Sequence, residues 1–173
     1  MPMLRIAIVT LHLAVAPLVA QTVEAARVHA ALVGHWSGTL EYKDYRDPTK
    51  RVTLPTIIDV TPRSAGGTSL HVVYDDGPGK TVVSDDRFVI ADDMRSFDWT
   101  GVKDTVPEVF RMISVTQDGG TIRMVGERDG SDNDAPATLR ETFTITVREL
   151  VVVKEVRPAG GTFSFRHTYR MTR

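Results

Sequence analysis

The sequence holds no cysteine, which removes disulfide staples, zinc–thiolate sites, iron–sulfur clusters and a cysteine nucleophile in one step. Stability must then come from a packed core, and a chain of about 150 residues can build one because it buries roughly 70% of the surface its unfolded form exposes. An excess of charge of either sign is lacking too, with 21 Lys and Arg against 22 Asp and Glu. The basic residues are scattered singly, so phosphates meet no concentrated basic face and nucleic acid is set aside as a partner. Beyond one N-terminal run, no stretch is apolar enough to be an integral membrane helix. Internal repeats and low-complexity tracts are absent, which disfavours propellers and solenoids. Also missing are a Gly-X-Ser-X-Gly elbow, a glycine-rich phosphate loop and a His-Glu-X-X-His pair. No catalytic residue is therefore assigned.

The N-terminus has the three parts of a secretory signal: a cationic start at Arg5, an apolar run from Ile6 to Ala16 and a small-residue exit. Residues 1–20 read as a signal peptide, with cleavage after Ala20 or as late as Ala25. No cysteine follows the run to accept a lipid, so the expected location is periplasmic or secreted.

After the signal, residues 23–33 read as a short helix with Ala25, Val28, Ala31 and Leu32 near helical spacing, and Gly34 is placed to stop it. From residue 34 to residue 173 the period changes to two, which is the all-β signature. The predicted strands are 35–44, 51–61, 68–75, 80–84, 87–91, 95–100, 108–116, 121–128, 138–147, 150–157 and 162–171. Turn chemistry at Asp76-Gly77-Pro78-Gly79, Asp118-Gly119-Gly120 and Pro158-Ala159-Gly160-Gly161 makes neighbouring strands antiparallel. The polar segment Asp129 to Pro136 reads as a surface loop. Alternation is clearest where Leu139, Glu141, Phe143, Ile145 and Val147 face Arg140, Thr142, Thr144, Thr146 and Arg148. So many strands hide their edges best by closing into one antiparallel up-and-down barrel of about 8–10 strands, with a two-sheet sandwich as the competing solution.

The segment Leu32-Val33-Gly34-His35-Trp36-Ser37-Gly38-Thr39-Leu40-Glu41-Tyr42 resembles the start of a calycin barrel, the group of lipocalins and fatty-acid-binding proteins. Their mark is a Gly-X-Trp opening the first strand after a short helix, here Gly34-His35-Trp36. Followed by Asp44-Tyr45, the string is also similar to secreted bacterial barrels of unassigned activity. The resemblance implies that Trp36 closes the barrel floor under an arginine from the last strand, with Arg166 and Arg170 as candidates, and that the last strand lies beside the first. It also implies an inward Arg-X-Tyr pair for a ligand carboxylate. The matching positions here are His167 and Tyr169, on the predicted face Phe163, Phe165, His167, Tyr169 and Met171. Histidine is a weaker anion anchor at neutral pH.

The resulting expectation is an exported binding protein that holds a small hydrophobic or amphipathic molecule inside the barrel. The candidate lining is Trp36, Leu40, Tyr42, Trp99, Phe143, His167 and Tyr169. No metal is expected. The histidines of the mature chain, His29, His35, His71 and His167, form no close ligand pair, although His35 and His167 would approach if the end strands paired. The loop from Asp129 to Asp134 lacks the bidentate glutamate of a calcium loop. The doublets Asp75-Asp76, Asp85-Asp86 and Asp92-Asp93 read as turn residues. No cofactor is called for, with haem on His167 as the variant known from some ten-stranded barrels of this kind. An alternative expectation is an envelope interaction module or inhibitor, with a filled barrel acting through residues 129–136 and the N-terminal segment. A third is an isomerase or cyclase, which would need buried polar groups with shifted pKa values.

Overall fold

The computed structural model describes residues 23–173, so the signal peptide read over residues 1–20 lies outside the described residues. A single helix, α1 (Ala25–Leu32), precedes ten strands. These are β1 (Gly34–Lys43), β2 (Arg51–Pro62), β3 (Thr68–Asp75), β4 (Thr81–Ile90), β5 (Ser96–Gly101), β6 (Val109–Asp118), β7 (Thr121–Asp132), β8 (Ala135–Ile145), β9 (Glu149–Pro158) and β10 (Ser164–Thr172). Each strand pairs antiparallel with its sequence neighbour, and β1 pairs with β10, so the sheet is a closed barrel without an open edge. The thinnest seam is β5 to β6, joined by three residue pairs from Ser96↔Arg111 to Asp98↔Val109.

One end of the barrel is plugged. Val28 and Leu32, one helical turn apart, are the buried residues of α1 and turn it toward the floor. Trp36, with no exposed surface, donates its indole N–H to the Leu32 carbonyl at 2.7 Å. Above it the inward faces interdigitate: Phe97 and Phe110 stack at 4.9 Å, and Phe143 packs on Phe88 at 5.2 Å and on Phe97 at 5.5 Å. Gly126 makes this possible, since a Cβ there would come within 2.2 Å of the Phe97 ring. The lower half is therefore filled with side chains.

The arginine over Trp36 is Arg173, at 4.2 Å from the ring centroid. It also donates to the carbonyls of Ala31 (3.0 Å), Val33 (2.8 Å) and Val147 (2.8 Å), and so ties the helix end to the β8–β9 turn. Gly34 fits beneath it with φ +139°, and a Cβ there would press on the guanidinium at 3.2 Å. Neither arginine named from the sequence sits there: Arg170 is exposed, and Arg166 lies at the other end of the barrel.

Three local features depart from the sequence expectation. The runs 80–84 and 87–91 are one strand, with Asp85 and Asp86 in its middle rather than in a turn. Asp85 faces outward to His71 at 2.7 Å, and Asp86 faces inward. The segment 129–136 is not a loop, because Asn133 (φ +50°) and Asp134 (φ +63°) form a two-residue turn that lets β7 and β8 run on as a ladder to Asp132↔Ala135. Finally, a bulge between Phe165 and His167 leaves Arg166 without a partner on β9 and shifts the phase of β10. His167, Tyr169 and Met171 point inward as expected. Phe165 and Phe163 do not, and lie outside against Arg51 (3.9 Å) and Arg140 (3.6 Å).

Candidate functional site

Register alone assembles the site in the unfilled upper half. Across β1, β10, β9 and β8, one inward row is Tyr42, His167, Lys154 and Glu141, and the row beneath is Leu40, Tyr169, Val152 and Phe143. The upper row is polar because Lys154 and Glu141 take positions that alternation would otherwise give to apolar side chains. The lower row is the roof of the packed core.

Two cavities share the wall made by His167 and Tyr169. The first, of about 250 Å³, is a polar cup lined by Asp86, Trp99, Glu108, Glu141 and Lys154 in addition to the shared pair. The second, of about 490 Å³, is a mainly apolar limb toward the rim lined by Leu40, Leu54, Tyr42, Tyr45, Tyr74 and Val82, with Asp76 beside them. A larger groove of about 560 Å³ runs outside the wall past Pro136 and Pro158 to Gly161, lined by turn backbone and proline together with Asp129, Thr138 and Arg157.

Electrostatics in the cup follow from burial. Glu141 is 4% exposed, and desolvation raises its carboxyl pKa to about 7 against the opposing pull of Lys154, whose Nζ lies 3.6 Å from Oε1. Its second oxygen, Oε2, is buried with no hydrogen-bond partner. Burial, then the positive charges of Lys154 and Arg166, lower the His167 pKa to about 3, so the ring is neutral at physiological pH. Desolvation also raises Tyr169 and Tyr74, whose hydroxyls bond each other at 2.8 Å. Asp86 accepts from Trp99 Nε1 at 3.0 Å and from the Ser84 hydroxyl at 2.7 Å, which fixes the indole as one side of the cup. Arg128 bonds Glu108 at 2.7 Å.

At the rim, Arg166 is a clasp. Its Nε donates to Asp132 at 2.8 Å, its Nη1 donates to the Lys43 carbonyl at 2.7 Å, and its guanidinium lies 3.8 Å from the Tyr45 ring centroid. The tip of the β7–β8 hairpin is thereby held against the end of β1.

Of the predicted lining residues, Leu40, Tyr42, Trp99, His167 and Tyr169 line the two cavities. Trp36 and Phe143 are buried in the packed half below. His35 does not approach His167, since it sits near the floor opposite Asp59 at 2.7 Å whereas His167 pairs with Tyr42. Among the described residues, no group of three or more His, Asp and Glu converges as a metal set. Likewise, no helix among them is long and apolar enough to cross a membrane. Asp86, Glu108, Glu141, Lys154 and Tyr74 were not assigned to the site from sequence, where Asp86 reads as a turn residue and Glu141 only as part of an alternating face. The available signal was an acidic residue inside an otherwise apolar face, as at Glu141 between Leu139 and Phe143.

No family model matches the chain, and no curated protein matches it. Among solved structures, the crystal structure of Rv2717c from M. tuberculosis is similar, with a TM-score of 0.64 over 88% of this chain and 99% of that one at 12% identity. At that identity the likeness shows a shared fold and nothing finer.

Proposed function

We propose that this chain is an exported, calycin-like binding protein that holds one small amphipathic molecule in the open half of its barrel. The apolar part lies against Leu40, Leu54 and Val82, and the polar end enters the cup beside Trp99 and Glu141. What carries this reading is that an apolar limb and a polar cup both border the same two residues, His167 and Tyr169. Apolar wall area supplies affinity, and a few convergent polar groups fix orientation. Export rests on the Arg5 to Ala20 pattern alone.

The test is native mass spectrometry of the mature protein taken gently from the envelope fraction, followed by solvent extraction. A stoichiometric amphiphile released on extraction supports the proposal. A bare mass, together with no uptake of an environment-sensitive apolar dye, refutes it. One observation favours haem as a second reading: the His167 ring, neutral through burial, lines the apolar limb, and a neutral imidazole can ligate an iron. Haemin titration decides this, since a His167-dependent Soret shift, lost in His167→Ala, is required.

A further inference from the structure

Resting on the binding reading above, we infer that the polar cup selects a cationic head group, a protonated amine or quaternary ammonium carried on an apolar chain, and discriminates against carboxylates. Four carboxyl groups, Asp86, Asp104, Glu108 and Glu141, line the cup with one cation, Lys154. Adding Arg128, which bonds Glu108 from the wall, the balance is four negative against two positive. It stays negative by one even when Glu141 carries a proton.

The cup is more than an acidic cluster. Glu141 lines the cup, and its Oε2 is a buried acceptor without a partner. Such an atom is costly to leave unpaired, and turning the carboxyl toward a cation in the cup would recover that cost. Lys154 is already engaged by Oε1 of the same carboxyl. Aromatic rings complete the lining: Trp99, held by Asp86, and Tyr169, with ring centroids 6.2 Å apart, both border the cup. Aromatic faces attract cations through the ring quadrupole, most strongly where water is excluded. An anionic head would meet the opposite conditions, because carboxyl groups outnumber cations around the cup and His167, neutral through burial, adds no positive charge.

Three probes with the same chain separate head from tail: decyltrimethylammonium, decanol and decanoate, each below its micelle concentration. Binding is read by calorimetry and by Trp99 emission, with Trp99→Phe identifying the signal from Trp36. Decyltrimethylammonium should bind one to one and at least about tenfold tighter than decanol, as expected for one desolvated cation–aromatic contact, with decanoate weakest. In Asp86→Asn/Glu141→Gln the preference for the cation over decanol should vanish, with an unchanged far-ultraviolet circular dichroism spectrum showing that the variant is folded. Decanol or decanoate binding as tightly as the cation overturns the head-group inference and leaves the amphiphile reading standing. Failure of all three probes to bind overturns both.

Discussion

The buried pair Glu141 and His167 gives the stability profile a signature that single substitutions should expose. In the folded protein the Glu141 carboxyl titrates at about 7 against an ordinary 4.5, because burial disfavours its charge. As pH falls through 7 the folded state takes this proton before the unfolded chain does, so acidification stabilises until the unfolded carboxyl follows near 4.5. His167 acts in the opposite sense. Its folded ring titrates at about 3 against 6.5, so below 6.5 only the unfolded chain gains the proton and stability is lost. At about 1.4 kcal/mol per pH unit, going from pH 8 to pH 5 gains at most roughly 3 kcal/mol from Glu141 and loses at most roughly 2 from His167. Solvent reaching the ring from the mouth reduces these ceilings, and half of each is expected. The wild type should therefore be nearly flat in this window with respect to these groups. Glu141→Gln, left with the histidine alone, should lose about 1 kcal/mol between pH 8 and pH 5, and His167→Gln should gain about 1.5 kcal/mol. Urea unfolding followed by tryptophan emission at pH 5, 6.5 and 8 measures both. Parallel profiles for the two variants would refute the reasoning.

Other features of the barrel carry their own tests. Arg173→Ala removes three carbonyl contacts and the ring contact at the floor and should cost about 2 kcal/mol, whereas Arg170→Ala should change little, as thermal unfolding would show. Gly126→Ala forces a methyl toward the Phe97 ring and should cost about 1–3 kcal/mol in chemical denaturation. Gly120→Ala, where a Cβ meets nothing within 4 Å, should stay within about 0.5 kcal/mol. Arg166→Ala leaves Asp132 without its partner and should speed amide hydrogen exchange over residues 128–136 well beyond the exchange of β2 and β3.

Local chemistry made much of the barrel legible. The alternation in β8, the glycine-rich turns between β6 and β7 and between β9 and β10, and Gly34-His35-Trp36 after a short helix each act within a few residues, and each is where the sequence places it. What was not legible depends on partners far along the chain. Nothing near Arg166 announces a bulge, because the bulge is defined by a count against β9, and that one residue decides which side of the wall Phe165 occupies. Asp85-Asp86 resembled a turn because aspartate is depleted in strands. His71 and Trp99, 14 and 13 residues away, explain why both aspartates are tolerated in β4. Glu141 and Lys154 become a pair only through the β8–β9 register, so their chemistry was invisible in either segment alone.

The unpartnered residue of β10 has a bearing on how such a molecule can change over generations. Phe165 faces out and His167 faces in, and alternation would hold across them if the residue between were absent. Deleting Arg166 would therefore leave the other side chains of the strand on their present sides while releasing the hairpin tip from the rim. The hold on the hairpin tip is thus encoded separately from the cup itself. A lineage could gain or lose the latch by inserting or removing one codon while the residues that meet the ligand stay under unbroken selection.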